Sequence, residues 1–237
     1  MKRFAPSKRL LGILLFTAGI LLGTLLTAAL TWAGLEADFY GFQFLPADHF
    51  DGLACPALMS THETGVILVQ VNNPSKESVD PIIRLDISTR GVPDTKQVQL
   101  KIEPGETRQF EQPITAKNID LAFFIFAKAY RSASYPLSEA NSTCGILALD
   151  VPFLNGQQLF TVWLALSLIL IPLGLWMWPS SLQPEGAGRT SNAAKVLAVI
   201  ALGGLLVSLK GMWVLGVLLL ALTLLMFTAL LRFAVQE

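Results

Sequence analysis

Four long stretches without a single charged side chain constrain this chain more than any other feature. The first covers residues 10–33; the others, 159–178, 196–209 and 212–231, crowd the last third of the sequence. As an α-helix, 10–33 would be about 36 Å long, more than the roughly 30 Å hydrocarbon core of a bilayer. With 53% apolar and 14% charged residues and a mean hydropathy of +0.56, the composition is also that of a membrane-embedded chain. The expected fold class is a membrane protein with four transmembrane α-helices, predicted over 10–33, 159–178, 193–209 and 212–231. One all-β domain, residues 36–157, lies between the first two.

Charge placement sets the expected orientation. Lys2, Arg3, Lys8 and Arg9 precede the first stretch, Arg189 and Lys195 fall between the second and third, and Arg232 follows the fourth, against Lys210 alone on the other side. Because basic residues are retained on the cytoplasmic side, segments 1–9, 179–192 and 232–237 are expected inside and 36–157 outside. The expected location is a plasma (inner) membrane, crossed several times, with the large domain periplasmic or extracellular. Trp32 and Trp213 would sit at the outer interface, and Trp176 and Trp178 at the inner one. The third stretch is the shortest. Lys210-Gly211 reads as a tight turn between the last two spans; without it they would form a re-entrant hairpin or one long helix. Pro172 should kink or loosen the second span.

The first stretch is read as an uncleaved anchor, being longer than the apolar core of a signal peptide, although the small residues near Ala33 also suit cleavage. Gly19, Gly23, Thr27 and Thr31 recur every four positions, the spacing of one helical face on which another helix can approach closely. Either this is a packing face, first of all for the chain's own later spans, or it reflects the general abundance of Gly and Thr in membrane helices.

From about Glu36 the pattern changes to short β-type runs: 65–71, 81–89, 96–102, 107–112, 121–131 and 143–151. Ile83, Leu85 and Ile87 alternate with Arg84 and Asp86, and Val98, Leu100 and Ile102 with Gln97, Gln99 and Lys101, giving strands with one dry face. Residues 66–71 and 121–126 are nearly continuous in apolar character, as strands covered on both faces would be. Turn residues punctuate the runs at Asn72-Asn73-Pro74-Ser75, Gly91-Val92-Pro93-Asp94 and Glu103-Pro104-Gly105-Glu106. A two-sheet antiparallel sandwich is expected.

The strand-to-turn runs Val69-Gln70-Val71-Asn72-Asn73-Pro74 and Leu100-Lys101-Ile102-Glu103-Pro104-Gly105-Glu106-Thr107 resemble those of the immunoglobulin-like domains of bacterial surface and envelope proteins. The resemblance spans about ninety residues and implies a binding or spacing module. It departs from antibody-type domains, because no Trp occurs between Trp32 and Trp163.

Both cysteines, Cys55 and Cys144, fall in the middle segment. In an oxidising compartment they should pair as a structural disulfide; two free buried thiols are the alternative. The segment after the first span is rich in aromatics, Phe39, Tyr40, Phe42, Phe44 and Phe50. These are either an apolar patch for a partner or the membrane surface, or the cover of one end of the sandwich.

Chemistry is sparse. His49 and His62 have Asp48, Asp51 and Glu63 nearby in sequence, but no helical or knuckle spacing organises them into a metal site. There is no nucleophile elbow, phosphate loop or dinucleotide fingerprint, so neither a catalytic residue nor a cofactor is expected. The segment 36–157 carries 9 basic against 15 acidic residues, the opposite of a nucleic-acid footprint. The spans carry no ionisable residue at mid-depth, where proton and ion pathways need one. The expected role is that of a non-catalytic accessory, scaffolding or interaction subunit, with the bilayer and a membrane-protein partner or a second copy as its contacts. A component of a transporter for an apolar or lipid-like substrate is the rival, and a membrane-bound hydrolase using His49 or His62 the third possibility.

Overall fold

The computed structural model describes residues 6–42, 48–177 and 187–236. Lys2, Arg3, Phe44 and Trp178 lie outside the described residues, as does the Arg189 side chain. The chain divides into two units, one comprising residues 1–31 and 160–237 and the other 32–159.

The first unit is helical. Among the described residues four helices are long and apolar enough to cross a membrane: α1 (Pro6–Phe39), α2 (Gly156–Met177), α3 (Ala187–Leu209) and α4 (Trp213–Gln236). Phe16 meets Gly174, Gly19 meets Ile171 and Gly23 meets Ser167, so α1 and α2 run antiparallel. Thr27 meets Gly204 and Thr31 meets Ser208, so α1 and α3 run parallel. α3 buries Ala194, Leu197, Ala198, Ala201, Leu205 and Ser208, a stripe at helical spacing whose small members let neighbouring helices come close. α2 continues through Pro172 without a break.

α3 and α4 are separate helices. The Gly211 amide donates to the Ser208 carbonyl and the Met212 amide to that of Val207, with Gly211 at φ +72°. This pair of bonds is the Schellman ending, whose left-handed position favours glycine. The single-helix reading of the last two spans is thereby excluded, and the chain turns back at Lys210-Gly211.

The second unit is a two-sheet β domain that includes the last two turns of α1. Nine strands are described: β1 (Asp48–His49), β2 (Leu53–Ala54), β3 (Leu58–Ser60), β4 (Gly65–Asn72), β5 (Ile82–Ile87), β6 (Asp94–Gln99), β7 (Thr107–Ile114), β8 (Phe124–Arg131) and β9 (Ala140–Leu149). One sheet has the order β1-β9-β8-β5-β6, with β3 also on β9; the other is β2-β4-β7. Ile67, Val69 and Val71 of the small sheet face Ile83, Leu85, Ile87, Ile125 and Ile146 of the large one across a common core. Asn73, fully buried, organises one end of the sandwich. Its side-chain amide donates to the carbonyls of Glu77, Ile102 and Glu103, and its oxygen accepts from the Ser75 amide and hydroxyl.

Several expectations need correction. The domain is not wholly antiparallel, since β1 and β3 pair with β9 in parallel. Of the two runs read as covered on both faces, β8 is; on β4 one face is open, with Val66 44% exposed and Gln70 and Asn72 exposed as well. The run at 121–131 becomes strand only from Phe124, because Leu121 and Ala122 adopt φ +44° and +70°. The strand expected over 96–102 occupies Asp94–Gln99, leaving Ile102 in an isolated bridge to Val79. Helix α1 does not stop at Ala33. Leu26, Leu30, Ala33 and Ala37 are buried at helical spacing, and contact with the sheet rewards the added turns.

Candidate functional surfaces

The face of α1 marked by Gly19, Gly23, Thr27 and Thr31 is a contact surface within the helical unit. A Cβ on Gly19 would come within 2.8 Å of the Ile171 backbone nitrogen, and one on Gly23 within 2.7 Å of the Ser167 hydroxyl. Ser167 donates to the Gly19 carbonyl across the two helices, and the Trp163 indole donates to that of Leu22. Two turns further on, the Thr31 and Ser208 hydroxyls are 2.8 Å apart. Ser208 also donates to the Gly204 carbonyl, which makes Thr31 the donor between them. Gly216 of α4 closes the cluster, since a Cβ there would lie 2.7 Å from the Thr31 hydroxyl. Thr24 Oγ1 is buried without a hydrogen-bond partner beside a gap that Thr27, Gly204 and Thr223 also line.

In the β domain the last turns of α1 lie on β9 and β8. Gly145 touches the Ala33 backbone so closely that no side chain fits, and the Thr143 hydroxyl donates to the Asp38 carboxylate. Beyond the helix, Tyr40 packs on Phe126 with ring centroids 4.8 Å apart and donates its hydroxyl to Asp120. Burial, and then the hydrogen bond and charge of Asp120, push the Tyr40 phenol up to about 12. Beside it on the same sheet are Asp86 and Lys128, 5% and 7% exposed. Asp86 accepts from Arg84 and from the Thr95 hydroxyl. Burial lowers the pKa of the Lys128 ammonium and Arg84 adds to that effect, while Asp86 and Asp38 oppose it. These groups neutralise one another beneath the helix, where an unpaired charge would be costly.

At the start of α2, Glu63 accepts from the amides of Ser60 and Gly156, and Gly156 lies against the backbone of Leu58 and Met59. A carboxylate at a helix N-terminus satisfies otherwise orphaned amides and complements the dipole.

The aromatic residues after α1 do not form one surface. Phe50 belongs to the core at 4% exposure, with the Arg131 guanidinium over its ring, so its place in a partner patch is corrected. The Tyr40 and Phe42 rings meet at a tilt of 59° with centroids 4.7 Å apart, and Tyr40 is spent on Phe126; Phe39 is 72% exposed. Cys55 and Cys144 form a disulfide. Cys55 directly follows β2 of the small sheet and Cys144 lies within β9, so the bond ties the two sheets together. His49 sits beside Asp51 and His62 on Asp150, both at the surface. No group of three or more His, Cys, Asp or Glu side chains is placed to hold a metal among the described residues. The exposed apolar turn at Leu121 and Phe123 escaped the sequence reading, because its apolar run looked like strand. The only hint was its place straight after Asn118-Ile119-Asp120, a polar turn signal.

Neither a family model nor a curated protein matches the chain. Among solved structures, similarity is found to a CARDB domain from Pyrococcus furiosus, crystallised with di-metal ions, at 14% identity and a TM-score of 0.36, over 46% of this chain and 99% of that one. A cycloisomaltooligosaccharide glucanotransferase from Paenibacillus is similar at 17% identity and a TM-score of 0.33, over 46% of this chain and 15% of that one. A β-glucosidase from Listeria innocua is similar at 10% identity and a TM-score of 0.28, over 41% of this chain and 16% of that one. At this level of likeness the account of the domain rests on its own strand order and packing.

Proposed function

We propose that the chain is a multi-pass membrane protein that holds its immunoglobulin-like β domain outside the cytoplasm and serves as a non-catalytic accessory or scaffolding subunit of a membrane complex. The helices expose Leu14, Leu25, Ile169, Val199, Leu218 and Leu225 among many others, far more apolar surface than a water-soluble monomer tolerates. A disulfide in the β domain fits an oxidising compartment, and the basic flanks of the spans favour the same orientation.

The observation that carries the accessory role is how the bundle spends its polar groups. Among the described residues its buried polar residues are Thr27, Thr31, Ser167, Ser208 and Thr223, and each of these hydroxyls is hydrogen bonded to a helix carbonyl or to another hydroxyl, the buried hydroxyl of the half-buried Thr24 being the exception. Such groups hold helices together; transport paths usually call for ionisable side chains. Purification in mild detergent tests the proposal. A partner recovered in stoichiometric amount is expected, whereas a lone chain that moves lipid between the leaflets of vesicles would favour the transport reading instead.

A further inference from the structure

The turn between the short 3-10 helix (Ala116–Asn118) and β8 costs the protein something. Leu121 and Ala122 both hold positive φ, at 44° and 70°, a region that penalises residues with a Cβ. Asp120 holds the turn in place. Its amide and carbonyl face those of Phe124, and its carboxylate accepts from the Leu121 amide and the Tyr40 hydroxyl. Phe123 leans one edge on the Phe124 ring, centroids 4.7 Å apart, yet Leu121 and Phe123 remain 52% and 48% exposed. An over-determined, strained turn that displays two large apolar side chains points to a surface they meet.

Backbone pairing locates this turn within the β domain. The Phe123 carbonyl accepts from the Ala148 amide, and Ala148 is opposite Met59 in the β3–β9 pair. Leu58 and Met59 are the backbone against which Gly156, the first residue of α2, is set. Leu121 and Phe123 thus share a rung of the domain with the start of α2. Just before α2 the chain exposes Phe153 and Leu154, at 91% and 36%. The turn after β4 that contains Lys76 lies at the opposite end, where Asn72 pairs with Thr107 and Asp80 is bonded to Ser134.

We propose that Leu121, Phe123, Phe153 and Leu154 form an apolar foot with which the β domain enters the headgroup–acyl boundary of the bilayer, the lipid surface being its ligand. The proposal rests on the membrane reading above, and continuity with the membrane-crossing helix α2 is what selects lipid over a protein partner.

The test uses full-length protein reconstituted in phosphatidylcholine vesicles, with single variants Leu121→Cys, Phe123→Cys, Phe153→Cys, Lys76→Cys and Leu166→Cys labelled with an environment-sensitive fluorophore. The native cysteines are paired and do not react. Phe153, being so exposed, supplies a position whose replacement leaves packing intact. Spin-labelled lipids of shallow depth should quench positions 121, 123 and 153 at least about twofold more than position 76, as groups seated about 5–10 Å into the interface would be. Position 166, exposed on α2, reports separately on membrane insertion. Quenching at 166 with none at 121, 123 and 153 overturns the foot and leaves the membrane reading standing; no quenching at 166 overturns both. Shielding of 121 and 123 from lipid quencher and aqueous iodide alike would mark a second copy as the occupant, and would also overturn the proposal.

Discussion

At the scale of single residues, the β domain is most sensitive where helix α1 meets strand β9. Gly145 has the Ala33 carbonyl where a side chain would go, so Gly145→Ala must push the helix off the sheet. A loss of about 1–3 kcal/mol in domain stability is expected, read from denaturant unfolding. Tyr40 gives a second, independent reading of the same contact. Its pKa is raised from 10.0 to about 12, first by burial and then by Asp120. Above pH 10 the unfolded chain releases this proton while the folded domain keeps it, so stability should be full below pH 10 and fall as the pH approaches 12. Phenolate absorbance should show a component titrating near 12 that Tyr40→Phe removes and Asp120→Asn moves down; an unchanged titration curve in Tyr40→Phe would refute the assignment. Neither residue advertised its role in the sequence. Gly145, alone inside a strand pattern, permits a close backbone approach but does not name what approaches, and Tyr40 reads as one aromatic among five.

At the scale of elements, legibility followed periodicity. The β4, β5 and β9 runs and the four helical stretches carry long signals of period two or uninterrupted apolarity, and each is an element of the expected type. β1, β2 and β3 are two or three residues long, too short for any period to register, and their placement beside β9 or β4 comes from tertiary contact alone. The α1 stripe occupies a middle position. Its four-residue spacing suggested a packing face, but the partners of Gly19, Gly23, Thr27 and Thr31 on three other helices depend on the bundle as a whole. The Thr31–Ser208 hydrogen bond allows a quantitative check. In a double-mutant cycle with Thr31→Val and Ser208→Ala, measured by unfolding in detergent, a coupling of about 0.6 kcal/mol is expected, the usual size for interhelical hydrogen bonds in membrane proteins. Coupling indistinguishable from zero would mean that shape alone holds these helices.

At the scale of the whole molecule, two folding problems are solved by different means in one chain. The helical unit has little hydrophobic driving force to gain from helix association if lipid surrounds it, so small residues and hydroxyls must supply close packing and hydrogen bonds. The β domain, by contrast, buries Ile, Val and Leu between two sheets and has in addition a covalent tie across 89 residues. Removing a bond that closes so long a loop costs about 2–5 kcal/mol, mainly by releasing the unfolded chain. The division at residues 31 and 160 then has a thermodynamic consequence. If the units melt separately, Cys55→Ala with Cys144→Ala should lower the transition seen in the β-sheet signal of circular dichroism by several degrees and leave the helical transition in place. A joint downward shift of both signals would instead mean that the chain unfolds as one cooperative body, with the disulfide securing the long apolar helices as much as the domain that contains it.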